Sequence, residues 1–436
     1  MPFNITGAFY RLLRTGLETG GKVLALIFRK NQKALDFFRS VNRRINASLT
    51  RSSLPAGGPV SYGEIRGGLG VNVAGYITSE SGMGEAARAN IRSLQKAGIP
   101  FALNNLSSFA TQKDLTYGDF VRKNPFAINL VHVTADQVPA FYREQGARYF
   151  RNRYNIGVWY WELSRFPGEW HDRFAYFHEI WVATEFCRAA VAEQAPIPVV
   201  KIPPSLLMEP APPVDRARFG IAEGAFVFCC LFSFLSVFER KNPIAAIEAF
   251  RRAFRPGDKA VLLVKSSHAD LNPRAKEMMT EAARGLQVIF LEKDMRRQEL
   301  YALLSSIDCF VSLHRSEGFG LPIAEAMYLK KPAIATAYSG NMDFMTADNS
   351  YPVRYELSEL ERDYGPYKKG NVWATPDIGH AAGLMRQVYE QRDAARRVGE
   401  QASHDIKTLF SPGAAGGKIA ERVKTIAKEK GLSADR

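Results

Sequence analysis

The chain has 436 residues, 46% of them hydrophobic and 23% charged, with a net charge of +14. That length exceeds one ordinary domain and suggests two, each able to bury a core of its own. The composition is that of a soluble globular protein and excludes a disordered or fibrous chain. No stretch reaches the ~20 apolar residues of a membrane span, and the N-terminus carries no signal peptide with a cleavage site. The four cysteines (Cys187, Cys229, Cys230, Cys309) lack metal-ligand spacing. Three of them lie in apolar, strand-like runs, where a free thiol behaves as a small hydrophobe, and this usage fits a reducing compartment.

In chain order, residues 1–50 form a basic amphipathic arm. Phe9, Leu12, Leu13, Leu17, Leu24, Ile27 and Phe28 interleave with Arg11, Arg14, Lys22, Arg29 and Lys30, and Gly20-Gly21 divides the segment into two helices. Residues 1–53 hold ten Lys or Arg against two acids, so +8 of the net +14 sits in an eighth of the chain. Such an arm can lie on an anionic membrane surface or pack on protein. Nucleic acid is not indicated, because no nucleic-acid module accompanies the charge. Residues 51–66, rich in Gly and Pro, read as a linker.

A first α/β domain follows at 67–205. Gly70–Ile77 predicts a strand, Ser79–Glu85 a loop containing Gly82 and Gly84, and Glu85–Ala97 a helix. Strand, glycine loop and helix make the first unit of a doubly wound domain, with the loop at the carboxyl end of its strand. It is not the dinucleotide fingerprint, since Ala87 stands three residues after Gly84. Ala127–Val133, Asn155–Trp161 and Ile180–Thr184 predict three more strands, whose ends bring Asp136, Glu162 and Glu185 towards one rim. His132, at a strand end, reads first as a satisfied near-core residue. Glu162, after Trp-Tyr-Trp, must face a cleft or find a buried partner.

Pro203, Pro204, Pro210, Pro212 and Pro213 mark the passage to a second domain at 206–395. Phe226–Phe232 is a near-continuous apolar run, as in a parallel strand covered on both faces. Arg240 and Lys241 precede a helix that runs from Pro243 to Phe254, where the bland alternative to a functional cationic pair is two solvated residues. Val261–Val264 and Val288–Leu291 are further strands, and 377–428 is mostly helical.

The chemistry concentrates between Cys309 and Thr336. A strand over Cys309–Leu313 leads into Glu317-Gly318-Phe319-Gly320-Leu321, a helix follows over Ile323–Leu329 with Pro322 at its start, and Ala333–Thr336 predicts the next strand. Glycines at a helix start let backbone N–H groups approach an anion such as a phosphate. Two carboxylates, Glu317 and Glu325, frame the loop. Beside a phosphate they make sense as acceptors for the hydroxyls of a ribose or a sugar.

The spacing Glu317-x7-Glu325, with Gly-Phe-Gly-Leu-Pro between and Glu-Ala-Met at its end, resembles the E-x7-E signature of family-4 glycosyltransferases. These are retaining, nucleotide-sugar-dependent enzymes of the GT-B fold, and the similarity extends more weakly from about Gly70 to the C-terminus. The resemblance implies two Rossmann-like doubly wound domains facing a central cleft. The acceptor side would be 67–205, the nucleotide-sugar side 206–395, and helices in 396–436 would cross back to the first domain. It implies that Glu325 holds the ribose and Glu317 the transferred sugar. Gly318, Phe319, Gly320 and Leu321 would meet the donor diphosphate through their backbone, with Gly82 and Gly84 approaching from across the cleft. The family's diphosphate loop carries an Arg about five residues before a Lys. Lys241 matches the Lys, but the Arg position falls near Ser236, so Arg240 is expected to supply the second cation, a guanidinium-plus-ammonium fork suited to a diphosphate.

The family's cleft His is replaced here by Trp161 or Glu162, which with His132 are the acceptor-side candidates. Neither a divalent metal nor a cofactor is implied beyond the nucleotide sugar as substrate, and no Asp-x-Asp occurs in the sequence. The implied activity is transfer of a hexose, of mannose or glucose type, to a hydroxyl of a glycan or lipid-linked acceptor in cell-surface polysaccharide synthesis. The setting would be cytoplasmic, peripheral on the inner membrane face through the arm. The alternatives are a sugar-nucleotide epimerase or hydrolase of the same fold, and a catalytically silent nucleotide-sugar-binding membrane scaffold.

Overall fold

The computed structural model describes residues 63–106, 114–209, 211 and 215–432. The basic arm and the linker up to residue 62 lie outside the described residues.

The expected α/β architecture is present as two six-stranded sheets, each wholly parallel. The first holds β1 (Gly68–Gly75), β2 (Phe101–Asn105), β3 (Phe126–His132), β4 (Tyr154–Trp159), β5 (Glu179–Val182) and β6 (Val199–Lys201), in the order β2-β1-β3-β4-β5-β6. The second holds β7 (Phe226–Ser233), β8 (Ala260–Ser267), β9 (Val288–Glu292), β10 (Cys309–Ser312), β11 (Ala333–Thr336) and β12 (Tyr351–Val353), in the order β12-β11-β10-β7-β8-β9. Each chain path runs outward one way, then returns to build the other half. The reversals fall between β1 and β3 and between β7 and β10, and a crevice opens outside the carboxyl ends of the strands at such points. The loops after β7 and β10 are those that carry Arg240-Lys241 and Glu317.

Burial explains why β7 was legible as a central strand. Phe226, Phe228, Cys230 and Phe232 pack into one hydrophobic core while Val227 and Cys229 face another, so both faces are apolar. In the first sheet a row of buried amides crosses β1, β3 and β4. Asn72 donates to Asn129 at 2.9 Å and Asn129 to Asn155 at 2.8 Å, which satisfies polar groups that would otherwise be costly in a core.

Eight helices matter below: α1 (Gly82–Lys96), α2 (Glu185–Ala192), α3 (Pro243–Ala253), α4 (Arg297–Ser306), α5 (Leu321–Tyr328), α6 (Ile378–Glu390), α7 (Arg392–Leu409) and α8 (Pro412–Lys430). α7 still packs in the second domain. A Cβ on Gly399 would stand 2.2 Å from the Lys330 carbonyl, so only glycine permits this approach. α8 crosses to the first domain and lies on α1, with Gly416 against the Ser93 carbonyl and Ile419, Val423 and Ile426 in the core beneath β1 and β3.

An antiparallel hairpin of β13 (Tyr355–Glu359) and β14 (Val372–Pro376) was not predicted. It leaves the second sheet and reaches the first domain, where Leu360, Tyr367 and Trp373 join the core of Trp161, Leu163 and Phe166. Among the described residues no helix is long and apolar enough to cross a membrane.

Candidate active site

The cleft holds two buried ionic groups. The first gathers residues from three loops. Arg240 and Lys241 close a short helical turn after β7, Glu317 follows β10, and Glu162 follows β4. Arg240 is only 4% exposed, so it is not a solvated residue before a helix. Its guanidinium lies 3.2 Å from Glu317 Oε2 and 3.9 Å from Glu162, and donates to the Ser316 carbonyl at 2.7 Å. Lys241 Nζ meets Glu317 Oε1 at 2.5 Å. Tyr367, from the hairpin excursion, donates its hydroxyl to Glu162 at 3.0 Å, with its ring beside the Arg240 guanidinium. Burial raises the pKa of Glu317, but the two cations outweigh it and hold the carboxyl at about 2. The charge on Glu317 is thus fixed at any physiological pH. Burial lowers Lys241, and Glu317 partly offsets that.

The backbone of this loop is shaped for close approach. Gly320 caps α5 at φ 89°, a left-handed conformation that favours glycine. The N–H of Glu317 is taken by Ser339 Oγ at 2.8 Å, and the Gly318 carbonyl accepts from the Thr184 hydroxyl at 2.8 Å and from the Cys187 thiol at 3.2 Å. No acceptor among the described residues takes the N–H groups of Phe319, Gly320 and Leu321. Unmet donors at a helix N-terminus are what an anion would satisfy.

The second group spans the two domains. Glu325, in α5, lies 2.9 Å from Nη2 of Arg297, the first residue of α4. The same nitrogen is 3.3 Å from Glu85 in the first turn of α1. Glu85 is held in turn by Arg92 at 2.6 Å and Arg88 at 3.0 Å, and Arg88 also reaches Asp114 at 3.1 Å. Glu325 has one guanidinium, shared with a second carboxylate. Burial therefore prevails, and its pKa rises to about 7 although Arg297 opposes this. Arg297 and Glu85 were not recognised in the sequence, because the contact that joins them crosses between the domains and nothing local marks it.

The other expected site residues fall outside these two groups. Gly84 is needed for packing: a Cβ there would stand 2.1 Å from the Ser79 carbonyl, and its N–H already donates to the Ser81 side chain that caps α1. Gly82 has open space around it. Trp161 is buried, with its indole donating to the Arg165 carbonyl at 2.8 Å, so its backbone rather than its ring faces Gly318. His132 is wholly buried, pairs with Asn90 at 3.3 Å and is held neutral by burial, at about 3; no hydrogen bond ties it to the Glu317 group. Glu162 does join that group, through Arg240 and Tyr367. Among the described residues no cluster of three or more His, Cys, Asp or Glu could hold a metal ion.

Two facing parallel α/β domains with a charged cleft at their switch points define a GT-B protein, and the solved structures that resemble it agree. Sucrose-phosphate synthase from Thermosynechococcus elongatus superposes with a TM-score of 0.60 over 84% of this chain and all of that one, at 14% identity. Anabaena HepE, solved in complex with UDP and glucose, gives 0.55 over 82% and 100%, also at 14% identity. The longer S. aureus TarM gives 0.50 at 14% identity, over 68% of this chain and 55% of that one. At such identities the likeness establishes the fold. By sequence, residues 216–405, essentially the second domain and α7, match the family of glycosyl transferases group 1. No curated protein matches the chain.

Proposed function

We propose that the protein is a retaining glycosyltransferase of family-4 type, moving a hexose from a nucleotide-diphosphate sugar to a hydroxyl of a glycan or lipid-linked acceptor. The observation that carries this reading is the convergence of Arg240 and Lys241 on Glu317, at the start of a loop whose Phe319, Gly320 and Leu321 N–H groups meet no acceptor among the described residues. A fork of two cations, backed by unmet backbone donors, suits a diphosphate. The carboxylate beside it suits sugar hydroxyls, and Glu325 suits those of the ribose.

Glu317 neutralises the fork through its contacts with Arg240 and Lys241. The donor diphosphate displaces it from Arg240 and Lys241, which frees the carboxylate to accept from hydroxyls of the bound hexose. As the bond between the anomeric carbon and the diphosphate oxygen breaks, its electron pair goes to that oxygen, where the two cations and the loop N–H groups stabilise the developing charge. The acceptor oxygen bonds the anomeric carbon from the same side and gives its proton to the leaving diphosphate, so no side chain need serve as base. Glu162, fixed by Tyr367 beside Arg240, lies on the acceptor side. The basic arm, on an anionic inner membrane face, would keep the enzyme near a lipid-linked acceptor.

Product analysis with UDP-, GDP- and ADP-hexoses, with and without glycan or lipid-linked acceptors, tests this. The expected result is an acceptor-dependent glycoside with the anomeric configuration of the donor. Donor turnover without acceptor would instead favour the epimerase or hydrolase reading, and binding without turnover the silent scaffold.

A further inference from the structure

Lys265 stands near the carboxyl end of β8, in the middle of a cross-strand row with Leu231 on β7 and Leu291 on β9. Two residues earlier Leu263 is core on the sheet face that α4 and α5 cover, and side chains two apart on a strand share a face. Lys265 therefore projects on the face that carries Arg297 and Glu325, at the open end of the sheet. The residue is 6% exposed. Among the described residues no acceptor hydrogen-bonds its ammonium and no carboxylate comes within ion-pairing distance. Asp294, on the loop after β9, attracts it only from further off, and burial lowers its pKa. The side chain is thus mostly enclosed while the ammonium keeps its hydrogen bonds for solvent or a ligand, an arrangement a well-placed acceptor would improve. Around it Leu231, Leu291 and Met295 are half-buried and pack on the same core. One unpaired donor over an apolar ledge suits a flat, largely apolar ring that carries an acceptor in its plane.

We propose that Lys265 selects the donor nucleotide by donating to a ring carbonyl of its base, so that the cleft takes uracil or guanine and rejects adenine. Uracil presents carbonyl oxygens and guanine presents O6. Adenine presents at its matching edge an amino group, which is a donor and would leave the ammonium unmet. A site built to hydrogen-bond a group discriminates strongly against an analogue that lacks it. This inference rests on the nucleotide-sugar reading of the cleft and adds to it which bases are read and by which residue.

Calorimetric titration of the full chain with UDP, GDP and ADP, on the wild type and on Lys265→Met, separates the two claims. Methionine keeps much of the stem, removes the unpaired charge and should fold, which a melting curve checks. The wild type is expected to bind UDP or GDP at least about tenfold tighter than ADP. In Lys265→Met the preference should collapse to within about twofold, with ADP affinity kept. A wild type that prefers ADP, a preference that survives in Lys265→Met, or an equal loss for all three nucleotides would each overturn base selection while leaving the nucleotide-sugar reading intact. If no nucleotide binds the folded wild type, that reading falls and base selection falls with it.

Discussion

The two ionic groups of the cleft use the same kinds of residue and reach opposite electrostatic states. Around Glu317 two cations serve one carboxylate closely, and the carboxyl stays ionised down to about pH 2. Around Arg297 two carboxylates, Glu85 and Glu325, share one nitrogen, and Glu325 titrates at about 7. Burial is near complete in both. The ratio of cations to carboxylates within a few ångströms decides between a permanent charge and a titratable one. The Glu317 end of the cleft is thus a fixed electrostatic template, and the Arg297 end is adjustable near neutral pH.

The largest effects should come from unbalancing the fixed end. Lys241→Met is expected to lower kcat by about 10²–10³-fold, the order seen when one donor to a developing anion is removed, with the fold retained. Wild-type turnover in that variant would remove Lys241 from the mechanism. Arg240→Ala goes further, because Glu162 and Tyr367 also depend on the guanidinium. Breaking a buried pair by deleting one partner costs about 3–5 kcal/mol, so thermal unfolding should show a marked loss of stability as well as of activity.

The adjustable end is tested by pH. Burial raises the Glu325 carboxyl from its ordinary 4.5 to about 7 in the folded protein, so the native state binds its proton more tightly than the unfolded chain does. Its stabilising contribution is therefore full below about pH 4.5, declines as pH rises and is gone above about 7. The contribution lost should be a few kcal/mol, visible as denaturation midpoints that fall over that range in the wild type and not in Glu325→Gln. Glu317 has the reverse sign. Its stability is present above about 4.5 and lost only as pH falls towards 2, so Glu317→Gln should flatten only the acid end. Arg297→Gln sharpens the contrast by removing the cation that draws the Glu325 pKa down. The stability decline should then extend above pH 7, and an unshifted profile would break the assignment.

The smallest effect belongs to the hairpin excursion. Tyr367→Phe deletes one hydrogen bond to Glu162 and keeps the ring beside Arg240, so it should cost about 1 kcal/mol and reduce kcat only a few-fold. A loss as large as that of Lys241→Met would make Tyr367 part of the reacting centre.

These contrasts also show what the amino-acid sequence could reveal. Strands such as β7 and β10 are short apolar runs buried on both faces, and two glycines, a proline and two glutamates fall from Glu317 to Glu325 just after β10, so that loop was readable locally. Edge strands β2, β6 and β12 have three to five residues and little alternation, and β13 is mostly exposed, so they give no periodic signal. Arg297, Glu85 and Tyr367 acquire their meaning from partners in the other domain, and neighbouring residues do not encode that. His132 and Trp161 sit at strand ends, as a cleft residue would, but their side chains turn into the core, where Asn90 and the Arg165 carbonyl satisfy them.

The claim that Glu317 guards the cation fork until a diphosphate displaces it is tested most directly by titrating Glu317→Gln and wild type with the nucleoside diphosphate that wild type binds, alongside a melting curve. The variant leaves two buried cations uncompensated, so without ligand it should melt lower. It should bind the nucleoside diphosphate more tightly than wild type and still turn the nucleotide sugar over far more slowly. Weaker binding of the nucleoside diphosphate by the folded variant would contradict the account, placing Glu317 among the groups that hold the nucleotide rather than among those it displaces.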